Sequence, residues 1–202
     1  MERPVRAAVG LDGVLYDIVG AILDRLRYCH NIILDRDSVN TSDISKIVQD
    51  EAATKDLIRL VNPFTKDDEV ACGEFFNTVK PFPWAWDTLE RLNSLGLVLA
   101  ITKRPPRARP ATRMALRRDF GDMIKDISFS SRPWDFCVSQ QITHVFDKAK
   151  CRVPEYLKRG IIVYLIGQDI GMAPSIYLRM APDFRTAVRD LKKRRSSGAI
   201  YA

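Results

Sequence analysis

Val5-Arg6-Ala7-Ala8-Val9-Gly10-Leu11-Asp12-Gly13-Val14-Leu15-Tyr16-Asp17 begins as an apolar run, turns through a carboxylate and a glycine, and closes on a second carboxylate. From Val5 to Val9 only Arg6 is polar, which predicts a short buried strand. Asp12-Gly13 predicts the turn that ends it. In an open parallel sheet, ligands bind at the carboxyl ends of the strands, so Asp12 stands where a site carboxylate belongs.

Two further apolar runs share this pattern. Residues 97–101 (Leu-Val-Leu-Ala-Ile) lead into Thr102-Lys103-Arg104-Pro105, and residues 161–166 lead into Gly167-Gln168-Asp169. Weaker strands are expected at 127–129 and 175–178. Helical periodicity predicts helices over 18–28, 84–95, 111–119 and 184–193, with Gly96 and Gly121 as stops. Residues 131–142 read as a loop because of Pro133-Trp134-Asp135, and 146–159 as partly helical with a restart at Pro154. Between 31 and 79 no strand pattern occurs. Thr41-Ser42-Asp43 suggests one helix start, Leu57, Ile58, Leu60 and Val61 a second helix, and 66–77 a third with Val70, Ala71, Phe75 and Phe76 inward. The fold class expected is α/β, a doubly wound, Rossmann-like parallel sheet with a small helical insertion. Residues 1–17 and 80–195 would form the core, 18–79 the helical cap insertion, and 196–202 a tail.

The 202 residues, 46% of them apolar, can bury a sizeable core, and no apolar run approaches the ~20 residues of a membrane span. Met1-Glu2-Arg3-Pro4 lacks the apolar segment of a secretory signal, so an intracellular protein is expected, cytoplasmic or within a large particle. Cys29, Cys72, Cys137 and Cys151 form no paired spacing, and reduced thiols are expected. The net charge is +7, and arginine outnumbers lysine by 21 to 11. Arginine suits bidentate contacts with phosphate or carboxylate.

The opening stretch resembles the first motif of the haloacid dehalogenase-like (HAD) phosphohydrolases, an apolar strand followed by Asp-x-Asp-Gly-(Val/Thr)-Leu. Within that superfamily it looks most like the 5'(3')-deoxyribonucleotidase branch. Leu99-Ala100-Ile101-Thr102 is similar to the second motif. Lys148 and Lys150 are the candidates for the basic third motif, and Tyr164-Leu165-Ile166-Gly167-Gln168-Asp169 for the acidic fourth. The resemblance implies a phosphate site at Thr102, Lys148 and Lys150, and a magnesium site whose remaining acids are Asp12 and Asp169. It also implies a nucleophilic aspartate, and here that position is Gly10. Gly10 can neither attack phosphorus nor bind a cation, leaving Asp12 as a vestigial acid/base. Gly167 and Gln168 likewise occupy positions where acids are usual.

The expectation is therefore a catalytically inactive HAD-like protein that needs no cofactor. It would act as a binding or structural component of a protein or nucleoprotein assembly, with no membrane contact. Its basic surface would meet nucleic acid or an acidic partner through Lys103, Arg104, Arg107, Arg109, Arg113 and Arg117, and through Lys192, Lys193, Arg194 and Arg195. The alternatives are a magnesium-dependent nucleotidase or phosphatase with an atypical site, and a nucleotide- or phosphate-binding sensor.

Overall fold

A computed structural model describes residues 4–36, 39, 48–61, 66–167 and 173–198. Six parallel strands form one sheet in the order β3-β2-β1-β4-β5-β6. They are β1 (Val5–Gly10), β2 (Gly96–Thr102), β3 (Ile127–Phe129), β4 (His144–Asp147), β5 (Ile162–Ile166) and β6 (Leu178–Ala181). The helices are α1 (Ile18–His30), α2 (Glu51–Val61), α3 (Lys66–Thr78), α4 (Ala85–Asn93), α5 (Arg109–Phe120), α6 (Pro133–Ser139), α7 (Val153–Leu157) and α8 (Phe184–Ser196). No helix among the described residues is long and apolar enough to cross a membrane.

The chain divides into two compact units. The first contains Met1–Tyr16, Pro81–Lys103 and Phe120–Ala202, and so holds the whole sheet. Strands β1, β2, β4 and β5 are buried along most of their length, which is why β1, β2 and β5 read as continuous apolar runs. Alternation along each strand sends Ala8, Leu99, Ile101, Val145, Val163 and Leu165 into one apolar cluster with Cys137 of α6 and Tyr156 of α7. Residues one position away feed an aromatic cluster: Phe146 stacks on Tyr164 with centroids 4.9 Å apart and meets Phe184 of α8 edge-on at 5.2 Å. Burying each such ring contributes about 1.5–3 kcal/mol before entropy is charged against it. Gly96 starts β2 in register with Val5 of β1: a Cβ there would lie 1.9 Å from the Val5 carbonyl oxygen, so only glycine fits. At the outer strand β6, Ser175 takes both peptide groups of Leu178: its N–H donates to the Leu178 carbonyl at 2.8 Å and its Oγ accepts from the Leu178 N–H at 3.0 Å.

Three sequence expectations are corrected in this unit. Residues 133–139 are helix α6, because Pro133 occupies the first turn, where its missing N–H costs nothing. Residues 144–147 are strand β4, paired to both β1 and β5. The last strand is 178–181 rather than 175–178, since Ser175 forms the turn that enters it.

The second unit contains Asp17–Lys80 and Arg104–Asp119. The sequence reading placed 104–119 in the α/β core, whereas its contacts are with the helical segment. Asp17 caps α1, accepting from the Gly20 N–H at 2.9 Å, and also pairs with Arg36. On α3, Cys72, Phe75 and Phe76 are buried, but Val70 is 62% exposed, against expectation. The helix start expected at 41–43 lies outside the described residues. Cys72 and Cys137 are buried thiols, while Cys29 and Cys151 are exposed and unbonded.

Candidate functional site

The parallel sheet places the ends of β1, β2, β4 and β5 on one rim, and the strand order reverses between β1 and β4. Such a switch point opens a crevice for ligands. Gly10 is the last residue of β1, and Thr102, buried, is the last of β2. The Leu11 N–H donates to the Ile101 carbonyl at 3.2 Å, holding the start of the Asp12-Gly13 turn against β2. Gly13 has φ +77, and a Cβ there would lie 2.7 Å from Cδ of Lys148 and 3.5 Å from its Nζ. Of the two candidate lysines, Lys148 therefore lies across the turn, while Lys150 begins a short 3₁₀ turn at 150–152.

The acid beside Gly10 is one that sequence reasoning missed. A Cβ on Gly10 would meet Oδ1 of Asp147 at 3.4 Å. Asp147 ends β4, the strand next to β1, whereas Gly167 follows β5, one strand further out. Asp169, the expected metal ligand, lies outside the described residues. The signal was present in Val145-Phe146-Asp147, an apolar pair ending on an acid, but it was hidden once 146–159 was read as helical. Asp147 is buried and fully engaged: Nη1 of Arg152 donates at 2.9 Å, the Tyr156 hydroxyl at 3.3 Å and the Ala149 N–H at 3.0 Å. Nε of Arg152 is buried without a partner. The burial of Tyr156, followed by the Asp147 charge, pushes its phenol well above the usual range. The same two causes push the Cys137 thiol up to about 12, so it is an unreactive core group.

Among the described residues, Gly10 and Asp147 do not supply the carboxylate pair of the magnesium site that the resemblance implies. Gly10 offers no side-chain oxygen ligand, and a dication at Asp147 would have to compete with the Arg152 guanidinium for the same carboxylate. Among the described residues no cluster of three or more His, Cys, Asp or Glu could hold a metal.

Three cations of the first basic run are engaged within the second unit. Arg104, expected on the surface, is 4% exposed; its guanidinium lies 4.4 Å from the Phe76 ring centroid and donates to the Thr112 hydroxyl at 3.3 Å. Arg107 pairs with Glu69 at 2.9 Å, and Arg118 with Asp119 at 2.7 Å. Lys103, Arg109, Arg113 and Arg117 are exposed. On α8, Arg194 pairs with Asp190 at 2.8 Å and Arg195 donates to the Leu95 carbonyl at 3.0 Å, while Lys192 and Lys193 are exposed. At the opposite end of β4 from Asp147, His144 bonds the Thr143 hydroxyl through Nδ1 at 2.8 Å and buries Nε2 without a partner. Burial, then the charges of Arg179 and Arg195, push its imidazole down to about 4.

No family model matches the sequence, and no curated protein matches it. Solved structures do match in fold. One is an L-2-haloacid dehalogenase, with a TM-score of 0.59 at 10% identity over 94% of this chain and 100% of that one. A haloacid dehalogenase-like hydrolase from Streptococcus pneumoniae gives 0.56 at 14% identity over 93% and 98%. A HAD family hydrolase from Deinococcus radiodurans, solved with bound phosphate and sodium, gives 0.57 at 13% identity over 98% of both chains. The six-stranded parallel sheet and its flanking helices are thus the HAD-like α/β fold.

Proposed function

We propose that this chain is a HAD-like protein without phosphohydrolase turnover, working by binding as a component of a larger assembly. The observation that carries the reading is Gly10 at the switch point, beside an aspartate already neutralised by Arg152. Covalent phosphoryl transfer needs a nucleophile at that strand end, and removing one typically costs several orders of magnitude in rate. In this reading Asp12 keeps the turn without supplying acid–base chemistry, and the basic surface meets nucleic acid or an acidic protein. The test is turnover of p-nitrophenyl phosphate and nucleoside monophosphates with Mg²⁺, beside Asp12→Asn. Equal background for both proteins is expected; turnover that Asp12→Asn abolishes would overturn the reading. Size-exclusion of material from the native source should place the chain well above its 23.0 kDa mass, and elution as a lone monomer would remove the assembly.

A second reading, phosphate or nucleotide binding without turnover, draws on Lys148 lying across the Asp12-Gly13 turn. Calorimetric titration with phosphate and nucleotides decides it, heat that Lys148→Ala removes being its support and silence at millimolar ligand its end.

A further inference from the structure

Helices α4 and α8 pack together within the first unit, and the groove along their junction is lined by Arg91, Arg185, Arg189 and Lys192. A cavity of about 120 Å³ lies there, and Lys192 also lines a neighbouring one of about 280 Å³ together with Ser94 and Arg195. All four cations are exposed, no carboxylate lines either cavity, and none of the four forms an ion pair among the described residues. Two acids adjoin these cations in sequence: Asp190, beside Arg189, is held by Arg194 and by the Tyr164 hydroxyl, and Glu90, beside Arg91, is exposed and lines neither cavity. Only Arg91 comes from α4. Residues 185, 189 and 192 recur at helical spacing, so one basic row runs about 10 Å along α8.

We infer that this groove binds the phosphate backbone of a nucleic acid, without reading its sequence. The inference deepens the binding reading above by naming its partner, and it does not depend on whether the rim turns over phosphate. Four unpaired cations converging on one groove cost the fold self-repulsion, which a polyanion relieves. The row repeats about once per helical turn, and a nucleic-acid strand presents a charge at regular short intervals along its length. Three of the four groups are arginines, whose planar forks match phosphate oxygens. The lining offers no exposed apolar side chain for a protein partner or a bilayer to bury: Val188 is 2% exposed.

The test is fluorescence anisotropy of the full-length protein with a labelled mixed-sequence 20-nucleotide strand and its duplex, from 50 to 200 mM KCl. Four phosphate contacts predict a log–log salt slope of about −2.8 for the single strand and about −3.6 for the duplex, an affinity loss of about 50- to 150-fold over that range. Arg185→Gln/Arg189→Gln/Lys192→Gln should bind at least tenfold more weakly at 50 mM KCl with a slope near −1. Arg27→Gln/Lys55→Gln/Lys125→Gln, which removes the same charge from other exposed positions, should bind like the parent. Circular dichroism melts establish that both variants are folded. The inference is overturned by no binding to either oligonucleotide at 50 mM KCl, or by equal losses in the two triple variants. It is equally overturned by tighter capture on polyglutamate or phosphatidylserine vesicles than on the oligonucleotides. None of these outcomes touches the turnover assay, so the two readings fail separately.

Discussion

Two basic regions of this molecule behave in opposite ways. Residues 103–118 hold seven basic side chains in sixteen positions and dominate the sequence. In the structure Arg104 is buried on Phe76, Arg107 answers Glu69, and Arg118 answers Asp119 and Asn77. The α4–α8 groove draws on Arg91 and on residues about a hundred positions later, and of its four cations Lys192 alone belongs to a basic run that the sequence marks. Density of charge along a chain therefore does not by itself say which cations stay exposed, since Arg104, Arg107 and Arg118 are engaged while Lys103, Arg109, Arg113 and Arg117 are exposed. What is left to meet a partner is decided by which helices pack together.

The comparison can be broken by asking what each charge contributes to stability. The consumed extreme is Arg152, buried against Asp147. Arg152→Ala leaves that carboxylate uncompensated and should cost about 3–5 kcal/mol in urea unfolding. A loss under 1 kcal/mol would mean that water already solvates the pair. Next comes Arg104→Ala, which removes a desolvated cation–π contact and a hydrogen bond, with an expected loss of about 2–3 kcal/mol. An unchanged midpoint would return Arg104 to the surface and dissolve the contrast.

A neutral buried base provides the same test through pH. The unfolded His144 imidazole takes up a proton near its ordinary 6.5, the folded one only near 4. Between those values the unfolded state binds more protons, so stability is full above 6.5 and falls as pH drops towards 4. At about 1.4 kcal/mol per pH unit the loss from pH 7 to 5 is about 2 kcal/mol. His144→Gln should flatten that part of the profile; an identical pH dependence would assign the loss elsewhere. Smaller still, Arg107→Ala breaks a half-exposed pair and should cost under about 1 kcal/mol. Arg189→Gln should change stability by no more than about 0.5 kcal/mol, with the sign favouring the variant if repulsion across the groove is real.

Strands β1, β2 and β5 were legible because burial on both faces makes them uninterrupted apolar runs. Strand β4 was not: it has four residues, begins with His144 and ends with Asp147, and owes its existence to partners on both sides. Missing it hid the acid at the switch point, because Asp147 becomes a neighbour of Gly10 only through the pairing of β1 with β4. Gly10 itself was readable, since an absent side chain is as visible in a sequence as a present one. Of the groove cations Lys192 was readable as part of the tail's basic run; Arg91, Arg185 and Arg189 were not, because no periodicity links Arg91 to Arg189.

Ser175 sets how far the sheet can grow. An edge strand is a template on which another chain can add, and proteins blunt such edges with turns, charges and bulges. Here one serine answers the Leu178 N–H with its hydroxyl and the Leu178 carbonyl with its own N–H, so the first step of strand addition finds that rung occupied. Ile176, Tyr177 and Met180, all well exposed along this border, would otherwise give an incoming strand an apolar welcome. Ser175→Ala frees the Leu178 N–H, and the expected outcome is lower solubility at high concentration with little change in the unfolding midpoint.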